Sequence, residues 1–438
     1  MRRRSERLGS LPSSVLAVLA GAGLAAAPGC SSKKDPASPI DGAGGAITDA
    51  GMPDAVDPTA DAAGGDADAP GGEPAFSRAA LLRAFGTNAL TAAQDFLPLV
   101  AELVRTTAAH DAAPDVATRD AAREAFRAAF DVWQISELMQ FGPAAPKGGR
   151  PGGADFRDQI YLYPLVNRCA VEEEIVAAGW KSPTFASSLA NRRGFFALEY
   201  LLFFEGADTA CGAFSPIVAT GSWAALPAPE RETRKRAYAA AVARDLQTRA
   251  QGLVDAWAPS KGNFLETFAT AGPGNRLFAA PQAALNAVSD AIFYFEREMK
   301  DSKVGRPLGL RDCMAPTCPE QIESPFAARS KASFRANLVG FRRLMEGGGS
   351  GYAGLGFDDL LVSVGAAPLA ATLRELTIGT EAALAAIEEP DFVQALAQDP
   401  ASLRALYDAI KALTDLLKTQ FTTVLNLELP QGLEGDND

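Results

Sequence analysis

The sequence predicts an all-α protein: two packed antiparallel helical bundles behind a signal peptide and a disordered tether. Three observations carry this. Beyond residue 74 nearly every segment repeats its apolar residues with helical rather than strand periodicity. Gly and Pro clusters separate long runs, and no two alternating runs flank a tight hairpin turn. About half of the 438 residues are apolar, 47%, enough to fill sizeable cores.

The chain opens with Arg2, Arg3 and Arg4, then "LPSSVLAVLAGAGLAAA", then "APGC". A positive start, a short apolar core and small residues before a cysteine describe an export signal over residues 1–29. Pro12, Gly21 and Gly23 argue against a spanning helix. The segment resembles the lipobox of bacterial lipoproteins, which implies that Cys30 carries lipid, although Ala27 and Pro28 depart from that pattern. A cleaved secretory signal with an incidental cysteine is the alternative.

Residues 30–74 follow as a lipidated cysteine and an acidic tether. Ser31 to Pro74 is mostly Ala, Gly, Asp and Pro, too poor in large apolar residues to offset its ordering entropy. Nine acidic and two basic residues there account for seven of the chain's twelve net negative charges. The folded part is therefore mildly acidic and offers no basic face for nucleic acid.

Helices are expected from Ser77, capping a long first run, and from Thr118, capping "TRDAAREAFRAAFDVWQISELMQF", which Gly142 and Pro143 stop. Further helices fit Pro229 to Trp257, Leu277 to Lys300, Pro325 to Met345, Pro368 to Glu388 and Ser402 to Asn426. Breaks near Gly206 to Pro229 and Gly347 to Gly356 suggest a first bundle over 75–225 and a second over 226–438. The glycine run "EGGGSGYAGLG" lacks the Lys and Ser/Thr of a phosphate loop.

Five cysteines are odd for an exported chain, but giving Cys30 to lipid leaves an even set. Of three connectivities, the expected one joins Cys313 to Cys318 across "CMAPTC" and Cys169 to Cys211; free thiols are the alternative. His110 is the only histidine and sits at the polar end of a helix, so zinc pairs and a Ser-His-Asp triad are poorly supported.

Carboxylates remain. Glu172, Glu173 and Glu174 read as a solvated charge run. Glu199 differs. Phe195, Phe196, Leu202 and Phe203 lie three or four residues away, while Ala197, Leu201 and Phe204 cover the other face. A carboxylate in such a helix must be paired, hydrogen-bonded or protonated. An arginine from another helix, or Arg192 or Arg193, would make it structural; a ligand or metal would make it a site.

"RGFFALEYLLF" resembles the signature of the imelysin-like proteins, Gly-x-His-x-x-Glu followed by an aromatic and two leucines. The resemblance extends in order through "AFDVWQISELMQFGP", "QIYLYPLVNRC", "NAVSDAIFYFEREMKDSKVGRPLG" and "IESPFAARSKASFRANLVGF", and more weakly to the closing "GLEGDND". It implies two helical bundles with the motif near their interface. It implies either insulin-cleaving peptidase activity or a role beside iron uptake.

Carried over, Gly194 and Glu199 take the motif positions, but Phe196 stands where the histidine belongs and supplies no lone pair. Zinc-dependent proteolysis suffers most. A lone carboxylate at Glu199 could still join other oxygens around iron or calcium. Tyr200, Trp133, Glu137, Glu323 and Ser330 complete the candidate ligand-binding set. Against this, Trp133 suits a core, Ser324 suits the cap of a helix opening at Pro325, and Glu434, Asp436 and Asp438 suit a solvated terminus.

The expectation is a lipid-anchored, non-catalytic binding protein facing the periplasm from the outer membrane, near iron or other metal uptake. Its partners would be the membrane, through the lipid, and a metal ion or ferric chelate. A peptidase and a scaffold for another envelope protein are the alternatives.

Overall fold

The computed structural model describes residues 76–430, and among these there are helices and connecting turns but no strand. The signal segment, Cys30, the tether, Glu434, Asp436 and Asp438 lie outside the described residues.

Helix α1, Arg78–Ala112, starts where expected: the Ser77 hydroxyl accepts the N–H of Ala80 at 3.1 Å. Helix α2 spans Val116–Ser136, but its cap is Asp115 rather than Thr118. Thr118 instead closes a capping box, its N–H reaching Asp115 while its hydroxyl accepts the Asp115 N–H. Burial and then nearby arginines push the His110 pKa down, and its Nδ1 meets the Thr118 hydroxyl.

Helices α3, Arg168–Ala177, and α4, Gly194–Phe203, are short, α4 being apolar but for Glu199, and α5 runs from Ala228 to Trp257. The expected Leu277–Lys300 helix is two pieces. Asn275 accepts the N–H groups of Leu277 and Phe278, holding them in a turn, and α6 begins at Pro281 and ends at Ile292. A π-helix, Phe295–Gly305, then continues the path.

Helix α7 starts at Ser330, five residues after the expected Pro325, and runs to Met345. The intervening loop carries Ser324 and Ala328 at φ of 49° and 53°, so Ser324 does not cap a helix at Pro325. Helices α8, Ala367–Ala386, and α9, Pro400–Leu416, follow; α9 passes into a π turn, Leu417–Phe421, where one continuous helix was expected.

Helix α1 packs on α2 and α5, and α4 packs on α5 and α2. A second group joins α8 to α9 and α9 to the π-helix, with α7 touching both α8 and the π-helix. Helix α5, which follows residue 225, lies with the first group. The groups meet where α7 crosses α2. Gly340 makes that approach feasible, since a Cβ there would lie 2.4 Å from the Ile135 carbonyl oxygen.

Candidate functional site

Helix α4 is positioned by its first two residues. Gly194 has φ of 69°, and a Cβ on it would sit 2.4 Å from the Ile160 carbonyl oxygen, so only glycine lets the helix start against that loop. Phe195 is fully buried and meets Phe96, Phe126, Phe130 and Tyr161, anchoring the helix in an aromatic core. The next residue, Phe196, is left half-buried beside a cavity.

Glu199 is 1% exposed, as the apolar helix requires, but among the described residues no arginine pairs with it. Arg192 bridges Glu174 at 3.0 Å and Glu173 at 3.5 Å, and Arg193 bridges Asp245 at 2.7 Å. Instead the N–H groups of Phe326 and Ala327 donate to Glu199 Oε1 at 2.9 and 3.0 Å. Burial pushes its pKa up to about 7, opposed by the Ala327 amide, the Ser324 hydroxyl and the Phe326 amide. This contact also explains the late start of α7, because the loop wraps the carboxylate before turning helical.

The same loop walls a cavity of about 440 Å³, within the size range of small-molecule sites. Tyr161, Tyr163, Phe196 and Phe326 give it aromatic sides, and Pro164, Pro319 and Pro325 add flat apolar surface. Arg168, Arg306, Glu320, Glu323 and Ser324 supply the polar groups. Both expected disulfides are present and flank these walls: Cys169–Cys211 adjoins Arg168 and Ala210, and Cys313–Cys318 adjoins Pro319.

A buried charged network stands behind Glu323. Lys303 Nζ lies 2.9 Å from the Glu323 carboxylate and donates to Gln134 Oε1 and Asn337 Oδ1 at 2.9 and 2.6 Å. Burial raises the Glu323 pKa and lowers that of Lys303. Glu137, fully buried, pairs with Arg157 at 3.0 Å and accepts the Trp133 indole N–H at 2.5 Å.

Of the candidate residues, Phe196 and Glu323 line the cavity and Glu199 braces its wall from behind. Trp133 and Glu137 are core, and Gly194 acts through backbone geometry. Tyr200 donates its hydroxyl to Glu172 at 3.0 Å. Ser330 accepts the N–H of Phe392 at 3.1 Å, tying α7 to the segment that follows α8. Arg168, Tyr161, Tyr163 and Arg306 were not singled out, although all lie in the family-like segments "QIYLYPLVNRC" and "SKVGRPLG".

Bare-metal coordination at Glu199 finds no support in this geometry. Two N–H groups point their positive ends at Oε1, where a cation would need further oxygen or nitrogen ligands. Among the described residues one other group gathers ligand atoms, Cys169, Glu173 and Cys211, and its sulfurs are spent in the disulfide.

The class defined by these features is an all-α scaffold with a mostly apolar cavity beside a short, buried, glutamate-bearing helix. The sequence model of the imelysin family matches residues 89–420, and the chain belongs to that family. Its fold resembles an imelysin-like protein from Psychrobacter arcticum, with 18% identity, TM-score 0.58, and coverage of 81% of this chain and 96% of the other. It also resembles a Parabacteroides distasonis protein assigned as an iron-regulated protein A precursor, with 18% identity, TM-score 0.61, and 80% and 94% coverage. No curated protein matches the chain.

Proposed function

We propose that this chain is a non-catalytic binding protein, lipid-anchored through Cys30 and facing the periplasm from the outer membrane, that works beside iron or other metal uptake. It takes a metal-bearing chelate as cargo rather than a bare ion. The observation that carries this reading is the cavity itself: Phe196 forms its wall where the family motif has histidine, and Glu199 is committed to backbone amides. The iron-regulated name of the Parabacteroides relative supports the metal context.

Isothermal titration of the full chain with ferric, cupric and zinc ions and with ferric citrate tests it. Heat from the chelate, lost in Phe196→Trp as the larger ring fills the cavity, is the expected result. Silence across the panel sinks the reading, as does tight binding of a bare ion that Glu199→Gln abolishes.

A further inference from the structure

The charges around the cavity do not cancel evenly. Glu323 is held by Lys303 at 2.9 Å and presents little net charge to a guest. On the other side, Arg168 Nε is held by buried Glu172 at 2.7 Å, but its second partner, Asp208, is 69% exposed. Arg306 has Asp312 as its ion-pair partner at 2.9 Å, and Asp312 is 73% exposed. Ion pairs with such exposed carboxylates are worth about 0–1 kcal/mol, so a guest anion displaces them at little cost. Glu320, the remaining acid, is itself exposed.

The two cations therefore line a space whose largest apolar walls are rings. Phe196, Phe326, Tyr161 and Tyr163 offer faces and edges to a flat guest, and prolines complete the slot. Arg168 already stacks on Phe204, 4.0 Å from the ring centroid, which fixes its guanidinium plane. Planar guanidinium groups match a carboxylate better than a point charge does.

We propose that the cavity takes a small aromatic anion, its ring between Phe196, Phe326 and the two tyrosines and its carboxylate on Arg306 and Arg168. This rests on the cavity being the binding site and names the chemical class it accepts. An aryl acid with a neighbouring phenol also chelates ferric iron, so the class is compatible with a metal-bearing cargo.

The test titrates the full chain with 2-naphthoate, its neutral isostere 2-naphthamide, and cyclohexanecarboxylate. The naphthoate binds at least tenfold tighter than either of the others, and Arg306→Gln removes its advantage over the amide while leaving Tm unchanged. Should that variant melt early, the salt dependence of the native chain decides: affinity for naphthoate falls as salt rises, and affinity for the amide does not. Equal binding of acid and amide, or an Arg306→Gln chain that still discriminates, overturns the proposal. If ferric citrate binds and naphthoate does not, the aromatic class alone fails; if neither binds, the binding function fails with it.

Discussion

Two glutamates on neighbouring short helices are buried equally and treated oppositely. Glu172 on α3 is fully buried and receives Arg168 Nε at 2.7 Å, the Tyr200 hydroxyl at 3.0 Å, the Thr209 hydroxyl at 2.6 Å and the Ala210 N–H at 2.9 Å. Glu199 on α4 has two amides, and among the described residues no cation bridges it. Glu172 is a charged hub that, together with the Cys169–Cys211 bridge, fastens the segment after α4 to α3. Glu199 holds the opposite wall by hydrogen bonds alone, and without a counter-charge its ionisation is what burial penalises. One carboxylate fixes its wall through a cation and three further donors; the other holds its wall through amides alone, with a pKa that burial pushes up to about 7.

The largest effect expected from breaking this contrast is at Glu172. Glu172→Ala strands the buried part of Arg168 and orphans the Ala210 amide, and should cost about 4–5 kcal/mol in denaturant unfolding. Glu199→Ala strands no charge. It leaves two amide donors in an apolar wall, a loss of about 3–4 kcal/mol with the lost packing included. Both are read from the urea midpoint at fixed m-value. If Glu199→Ala proves the costlier, the assignment of hub and brace is reversed.

The contrast also marks what the sequence could carry. The all-α class, the long first helix with its Ser77 cap and the burial of Glu199 were legible because they follow from local periodicity and from a helix apolar all round. Both disulfides match the pairing expected among the three that four cysteines allow. Glu172 was misread as solvated because its partners, Thr209 and Ala210, lie a long way along the chain, and only the folded loop brings them back. The same holds for the Glu199 partner. Phe326 and Ala327 contribute backbone N–H groups, which leave no residue-type signal, so a side-chain search finds only the arginines that in fact serve Glu173, Glu174 and Asp245. Arg168 and Arg306 were hidden for a further reason: they lie far apart in the chain, and only the fold brings both to the one cavity.

The finest test of the comparison is pH. Glu199 has a folded pKa of about 7 against an ordinary value of 4.5, so between these values the folded chain holds a proton that the unfolded chain has lost. Stability on this account is highest below the unfolded value and falls as pH rises toward 7, the reverse of a carboxylate stabilised by an ion pair. Glu298 and Glu323, also raised by burial, add slope of the same sign, and His110, lowered by burial, adds slope of the opposite sign. Glu199→Gln keeps an oxygen for the two amides and removes the titration. The difference in unfolding free energy between pH 5 and pH 8 should shrink by about 2–3 kcal/mol in that variant, at roughly 1.4 kcal/mol per pKa unit. An unchanged slope would mean that Glu199 stays ionised throughout, held by something other than the amides that face it.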